Sequence, residues 1–238
     1  MKTFIMIPTY NEKENIASLI KEILSLNIKD IEIVVVDDNS PDETWKIVED
    51  ISKKDKRVHL LLRKENRGRG YAGRAGYKYS LEHAADYIIE MDADLSHNPC
   101  YIPRLLEKVK EADLAIGSRR IKGGKEEGRG LVRKIITIFA NLYIRIMLGL
   151  KVKDCNSGFR CFRRKVLETI NVDKLTSKGP SIVQEVLFKA KLKGFRIEEV
   201  PIVFKDRELG KSKLGLKQLA AGYWMVLKLK VMHLFGAI

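Results

Sequence analysis

Asp92-Ala93-Asp94 sets two carboxylates one residue apart, directly after the apolar run Tyr87–Met91. Such a pair on a loop at a strand's end can hold Mg2+ or Mn2+, because hard cations at diphosphate sites are kept by one or two carboxylates plus substrate oxygens. Ser96 stands where it adds a hydroxyl or a water-borne ligand. The same acids can instead form a solvated turn capping the next helix, and spacing alone leaves both readings open. Asp37-Asp38 ends the run Ile31–Val36 in the same manner, with helix capping alongside Asn39 and Ser40 as its alternative. Pro8-Thr9-Tyr10-Asn11-Glu12 follows the run Thr3–Ile7, so three runs deliver polar residues to one edge. Gly68-x-Gly70-x-x-Gly73, with Asp92 a further 19 residues on, matches the dinucleotide-binding fingerprint. That site uses the first βα turn of a fold. Here the match follows the third apolar run and is crowded by Arg67, Arg69 and Arg74, so it reads as a tight turn opening a helix.

Alternating strands and helices must position these residues. Thr3–Ile7, Ile31–Val36, Val58–Leu62, Tyr87–Met91 and Leu114–Gly117 are short and apolar, as strands buried on both faces are. Glu14–Leu26 repeats its apolar residues at helical spacing. Ser40-Pro41-Asp42-Glu43 predicts a helix start with a cap, proline at the first position and acids in the first turn, running to about Lys54. Gly70–Ala85, Leu131–Leu150 and Ser181–Leu192 are further predicted helices. Phe159–Phe162 and Arg196–Phe204 are predicted strands, and Lys122–Gly130 a glycine-rich loop. This alternation predicts an α/β fold with a mostly parallel sheet covered on both faces, and ligands at the carboxyl ends of its strands. The expected organisation is one domain over residues 1–213 and an amphipathic helical tail over 214–238.

The 238 residues are 45% hydrophobic and 32% charged, which excludes a disordered or collagen-like chain. Residues 1–118 carry 18 basic and 21 acidic side chains, whereas residues 119–238 carry 27 and 10. Only the second half calls for an anionic partner such as phosphate, nucleic acid or a membrane surface. A nucleic-acid-binding module has no use for the paired acids, so no nucleic-acid partner is expected. Cys100, Cys155 and Cys161 are too scattered for a disulfide framework or a structural zinc site and suit a reduced, cytoplasmic chain. Phe4–Ile7 is too short for a signal peptide, and the longest apolar stretch, Leu219–Leu227, falls short of the roughly 20 residues a bilayer requires.

Ile7-Pro8-Thr9-Tyr10-Asn11-Glu12, Val36-Asp37-Asp38-Asn39-Ser40, the Asn66–Gly73 loop, Met91-Asp92-Ala93-Asp94-Leu95-Ser96-His97 and Ile116-Gly117-Ser118-Arg119 occur in this order. Together they resemble family-2 glycosyltransferases of the Rossmann-like, nucleotide-sugar-binding GT-A fold. Ser157-Gly158-Phe159, Val200-Pro201-Ile202 and the segment Asp206-Arg207-Glu208-Leu209-Gly210-Lys211-Ser212-Lys213 narrow the resemblance to dolichyl-phosphate (polyprenyl-phosphate) mannosyltransferases over essentially the whole chain. The resemblance implies inverting transfer of mannose from GDP-mannose to a polyprenyl phosphate at the cytoplasmic face of a membrane, and admits a separate small membrane subunit as partner. By position it implies that Pro8, Tyr10, Glu12, Val36 and Asp38 contact base and ribose. Asp92, Asp94 and Ser96 would hold Mg2+ or Mn2+, with Ala93 lining the diphosphate. Arg119, Arg207 and Lys213 would meet phosphate, with help from Arg133. Some relatives carry Gln where this chain has Ser96. A phosphate acceptor with a second pKa of about 6 is already an oxyanion at neutral pH, so no catalytic histidine is required.

Leu131–Leu150 also predicts a membrane contact. At about 100° per residue, Arg133, Lys134, Thr137, Asn141 and Arg145 share a stripe about 120° wide, and the remaining surface is apolar. A helix so broadly apolar is either buried on two sides or lies in lipid with its basic stripe toward anionic headgroups. Leu216–Phe235, with Tyr223 and Trp224, is a second expected anchor.

Overall fold

Strands and helices alternate along the chain in the structure, a computed structural model that describes residues 1–206 and 216–236. The first half comprises β1 (Thr3–Thr9), α1 (Ile16–Ser25), β2 (Ile31–Asp37), α2 (Thr44–Lys54), β3 (Val58–Leu62), α3 (Arg69–Glu82) and β4 (Tyr87–Glu90). The second comprises α4 (Ile102–Glu111), β5 (Leu114–Ser118), β6 (Lys125–Glu127), α5 (Leu131–Leu148), β7 (Arg160–Arg163), α6 (Arg164–Ile170), α7 (Ile182–Leu192), β8 (Ile197–Pro201), β9 (Val203–Lys205) and α8 (Leu216–Leu234). Seven strands form one sheet in the order β3-β2-β1-β4-β7-β5-β8, parallel except for β7, which runs against both neighbours. The reversal matters for the site. The residues entering β7 lie at the same edge as the carboxyl ends of β1, β2 and β4.

Alternation along the strands builds two cores. In β1, Phe4 and Met6 face α3, α6 and α7, while Ile5 and Ile7 face α1, α2 and α4. All four are fully buried. Each such side chain contributes about 1.5–3 kcal/mol relative to exposure, which sets the sheet's register firmly.

Local chemistry moves several predicted boundaries. The helix expected from Ser40 begins at Thr44, because Glu43 takes a left-handed φ of 66° that no helix can include. Ser40 instead turns back onto Asp37 through its N–H and hydroxyl, both at 2.8 Å, and Asp42 receives the Thr44 N–H at 3.0 Å. The single strand expected over Arg196–Phe204 is two strands. The ladder on β5 closes with the Ile202 N–H on Ser118 O at 3.1 Å, and the chain then pairs β9 with β6. Helix α4 follows the paired acids, α6 lies where no element is predicted, and the short β6 lies within the predicted glycine-rich loop.

Helix α5 is arranged opposite to expectation. The middle of its polar stripe, Thr137 and Asn141, faces inward, whereas Leu131, Val132, Ile138, Phe139, Leu142 and Ile146 face out. Asn141 explains the orientation. Its side-chain oxygen accepts the Cys155 N–H at 2.8 Å and its amide donates to Thr137 O at 3.0 Å, so a buried polar group is satisfied at both ends. Helix α8 packs beside α5, with Val226 and Leu229 buried and the Tyr143 hydroxyl donating to Tyr223 O at 3.2 Å. Trp224, Leu234 and Phe235 extend the outward apolar surface. No helix among the described residues is long and apolar enough to cross a membrane.

Candidate active site

The loop after β4 lies at the centre of the carboxyl edge. Leu95 adopts a left-handed φ of 60°, which curls the loop so that Ser96 reaches back to Asp94. The Ser96 hydroxyl donates to Asp94 Oδ1 at 2.5 Å and its N–H to the same oxygen at 3.2 Å. Ser96 therefore braces the Asp94 carboxylate, and Ala93 is buried beneath the turn. Asp92 is held from three sides. Its N–H donates to His97 Nδ1 at 3.2 Å, Arg69 Nη2 lies 3.7 Å from Oδ1, and Gly158 faces both oxygens. A Cβ at position 158 would sit 3.4 Å from each of them, in van der Waals contact.

These residues fit a divalent cation. The donors are hard carboxylate oxygens, Asp92 is partly exposed, and Gly158 sets no side chain against it. Among the described residues no cluster of three acidic, histidine or cysteine side chains could enclose a metal. Two carboxylates with substrate oxygens completing the shell match the usual arrangement for Mg2+ or Mn2+. His97 is fully enclosed against Phe159, and burial lowers its pKa despite the nearby acids. It stays neutral and accepts the Asp92 N–H.

On the β1–β2 side, half-buried Pro8 and exposed Tyr10 mark the rim. Glu12 is fastened by its N–H to the Thr44 hydroxyl at 3.0 Å and accepts from Asn15 at 3.0 Å. Asp38 ties β2 to the following loop, taking Arg63 Nη1 at 2.5 Å and the Gly68 N–H at 2.6 Å. Burial raises its carboxyl above the usual value against the pull of these donors. Val36 departs from its expected role: its side chain is fully buried in the core, so only its backbone faces the rim.

The glycine-rich loop has a packing role. Gly68 takes a φ of 134°, and any Cβ at Gly70 would collide with the backbone carbonyl of Ser177. These glycines let the start of α3 dock against residues 177–178, where Gly70 N–H donates to Lys178 O at 3.0 Å.

Arg119 also departs from expectation. Its Nε and Nη2 form a fork on Asp154 at 2.7 and 2.9 Å, its own N–H adds a third bond at 3.0 Å, and Phe204 stacks beneath the guanidinium. With 7% of its side chain exposed, it anchors the loop before β7. Burial works against both charges, but each partner reverses that effect: Asp154 is held low and Arg119 high. Arg133, at the start of α5, is half-exposed and 3.5 Å from Asp206. Arg207 and Lys213 lie outside the described residues. Asp154, Gly158 and Arg69 were not distinguished as site residues by sequence reasoning. The turn-rich string Asp154-Cys155-Asn156-Ser157-Gly158 before a strand was the available signal, but its place depends on β7 running antiparallel.

A mostly parallel α/β sheet with paired acids after β4 and a reversed β7 bringing a glycine against them defines a GT-A glycosyltransferase. A profile described as "Glycosyl transferase family 2" matches residues 4–170. The chain belongs to that family and is a glycosyltransferase. It is 42% identical over 215 residues to the undecaprenyl-phosphate mannosyltransferase of Micrococcus luteus, covering 90% of this chain and 88% of that one. It is 39% identical to the polyprenol monophosphomannose synthase of Mycolicibacterium smegmatis, with coverage of 90% and 81%. It is 40% identical to the dolichol-phosphate mannosyltransferase of Pyrococcus furiosus, covering 92% of this chain and 61% of that one. The fold matches a crystal structure of glucosyl-3-phosphoglycerate synthase from Mycobacterium tuberculosis in complex with Mn2+, UDP and phosphoglyceric acid. The TM-score is 0.68 at 19% identity, covering 98% of this chain and 78% of that one.

Proposed function

We propose that this enzyme transfers mannose from GDP-mannose to a polyprenyl (dolichyl) phosphate, with inversion, at the cytoplasmic face of a membrane. The observation that carries the reading is the Ser96-braced Asp94 beside partly exposed Asp92, in a chain 39–42% identical to the three lipid-phosphate mannose enzymes named above. Pro8, Tyr10, Glu12, Asp38 and the Val36 backbone receive base and ribose, and Ala93 lies under the diphosphate. Asp92 and Asp94 hold Mg2+ or Mn2+, which when bound offsets the charge of the departing diphosphate. The acceptor phosphate needs no base, in keeping with a neutral, enclosed His97. Arg133, with Arg207 and Lys213 from the following segment, holds that phosphate through charge-assisted bonds. The outward apolar surface of α5 and α8 rests in the headgroup layer, where a lipid-tethered phosphate is found.

The test is transfer of radiolabelled mannose to polyprenyl phosphate by the full chain, with UDP-glucose and UDP-N-acetylglucosamine as parallel donors. Mannosyl lipid formed from GDP-mannose and abolished by excess chelator is the expected result. Transfer from a UDP-sugar alone overturns the donor, and activity undiminished by chelator overturns the metal.

A further inference from the structure

We propose that Arg69 is a positioning residue for Asp92 that weakens binding of a lone divalent cation and makes it depend on the nucleoside diphosphate. This inference rests on the metal reading above. Arg69 opens α3 and lies between two acids. Its Nη2 donates to Glu90 and is also 3.7 Å from Asp92 Oδ1. Glu90 is fully buried, and its second oxygen accepts the buried Tyr77 hydroxyl. Arg160, paired with Glu90 across β4 and β7, gives its donors to the carbonyls of Ser157, Val183 and Cys155. Among the described residues Arg69 is thus the cation hydrogen-bonded to Glu90, at the end of a chain running from Tyr77 in the core to Asp92 at the site.

The guanidinium is only half matched. Nη1 is buried without a hydrogen-bond partner and faces Gly73, where a Cβ would approach it to 3.1 Å. A buried donor left unmatched calls for an explanation. Here the pairing to Glu90 and the space left by Gly73 hold the positive charge beside Asp92. That charge steadies the carboxylate when no cation is present. It also repels any cation arriving alone, since charges a few ångströms apart in a partly buried site interact strongly. A nucleoside diphosphate brings compensating negative charge, so cation and nucleotide bind together.

Removing Arg69 alone would strand Glu90, a costly defect that could unfold the chain. The test therefore uses R69M/E90Q, E90Q and R69K in the full chain. It reads Mn2+ binding by electron paramagnetic resonance with and without GDP or UDP, beside melting temperature. R69M/E90Q should bind Mn2+ without nucleotide about tenfold tighter than the parent, and nucleotide should then add less. E90Q, which leaves Arg69 uncompensated, should bind Mn2+ more weakly, and R69K should resemble the parent. A merely structural role moves melting temperatures without moving Mn2+ affinity in opposite directions. Unchanged Mn2+ affinity in folded R69M/E90Q, or equal weakening in all three variants, overturns the proposal. A parent chain that takes no Mn2+ with either nucleotide overturns the metal reading, and this inference with it.

Discussion

Two arginine–carboxylate clusters flank the loop after β4, and they are built differently. Arg119 and Asp154 are closed: both are buried, the fork is bidentate, and the backbone N–H adds a further bond. Arg69 is open: one arm is on Glu90, the other has no partner, and partly exposed Asp92 stands 3.7 Å away. A closed pair fixes a loop in place, whereas an open one leaves charge for a ligand to meet. The same residue types make a scaffold on one side and a responsive site on the other, according to how many donors are matched.

Breaking the closed cluster should have the largest effect. Asp154→Ala takes the bidentate partner from buried Arg119, leaving it only Glu126 at 3.8 Å, and should cost about 3–5 kcal/mol, read from urea midpoints with an unchanged slope. A loss below 1 kcal/mol would show that the pair is not the anchor inferred from its geometry. Asp94→Asn, on the loop between the clusters, should leave the melting temperature nearly unchanged and lower transfer at least a hundredfold, about 2.7 kcal/mol of barrier. Full activity in this variant would remove Asp94 from the site.

Acid should sharpen the contrast. Asp154 and Glu185 have lowered folded-state pKa values, through Arg119 in one case and through donors from Thr176 and Ser177 in the other, both against burial. Their stabilisation is complete above the unfolded carboxylate values near 4 and is lost as pH falls through the lower folded values. Urea midpoints should therefore decline below about pH 4, less steeply in Asp154→Asn. A parallel decline in both proteins would assign the acid sensitivity elsewhere. The smallest effect on the fold is expected at the apolar surface: Phe139→Asp and Trp224→Asp change side chains that are 63% and 68% exposed. Stability should move by no more than about 0.5 kcal/mol, while co-sedimentation with anionic vesicles at low salt should fall sharply. Unchanged vesicle binding would refute the membrane contact.

Much of the frame was legible along the chain. Val58–Leu62 was readable to the residue, and β1, β2, β4 and β5 to within two residues, because each is a short, mostly apolar run bounded by polar or turn residues. Asp92-Ala93-Asp94 was legible because its chemistry is local: two acids and a hydroxyl within five residues. The surroundings of Arg119 and Val36 were not legible, because the Arg119 partner lies 35 residues away and burial of Val36 depends on which strand lies beside it. Helix α5 shows the same limit. Its polar stripe was read correctly, but periodicity does not say whether such a stripe faces water or a backbone N–H that needs an acceptor.

The sequence by itself determined the alternating α/β order, the polar strand ends and the paired acids, because each follows from propensity, periodicity or spacing within one segment. Only the tertiary structure decided which charges are matched. The reversed β7 carries Gly158 to Asp92, the docking of α3 on residues 177–178 uses the glycines of the loop, and Asn141 turns α5 so that its apolar side faces outward. Those outcomes depend on partners far apart in the chain. A donor is satisfied or left open only when packing has settled what stands opposite it.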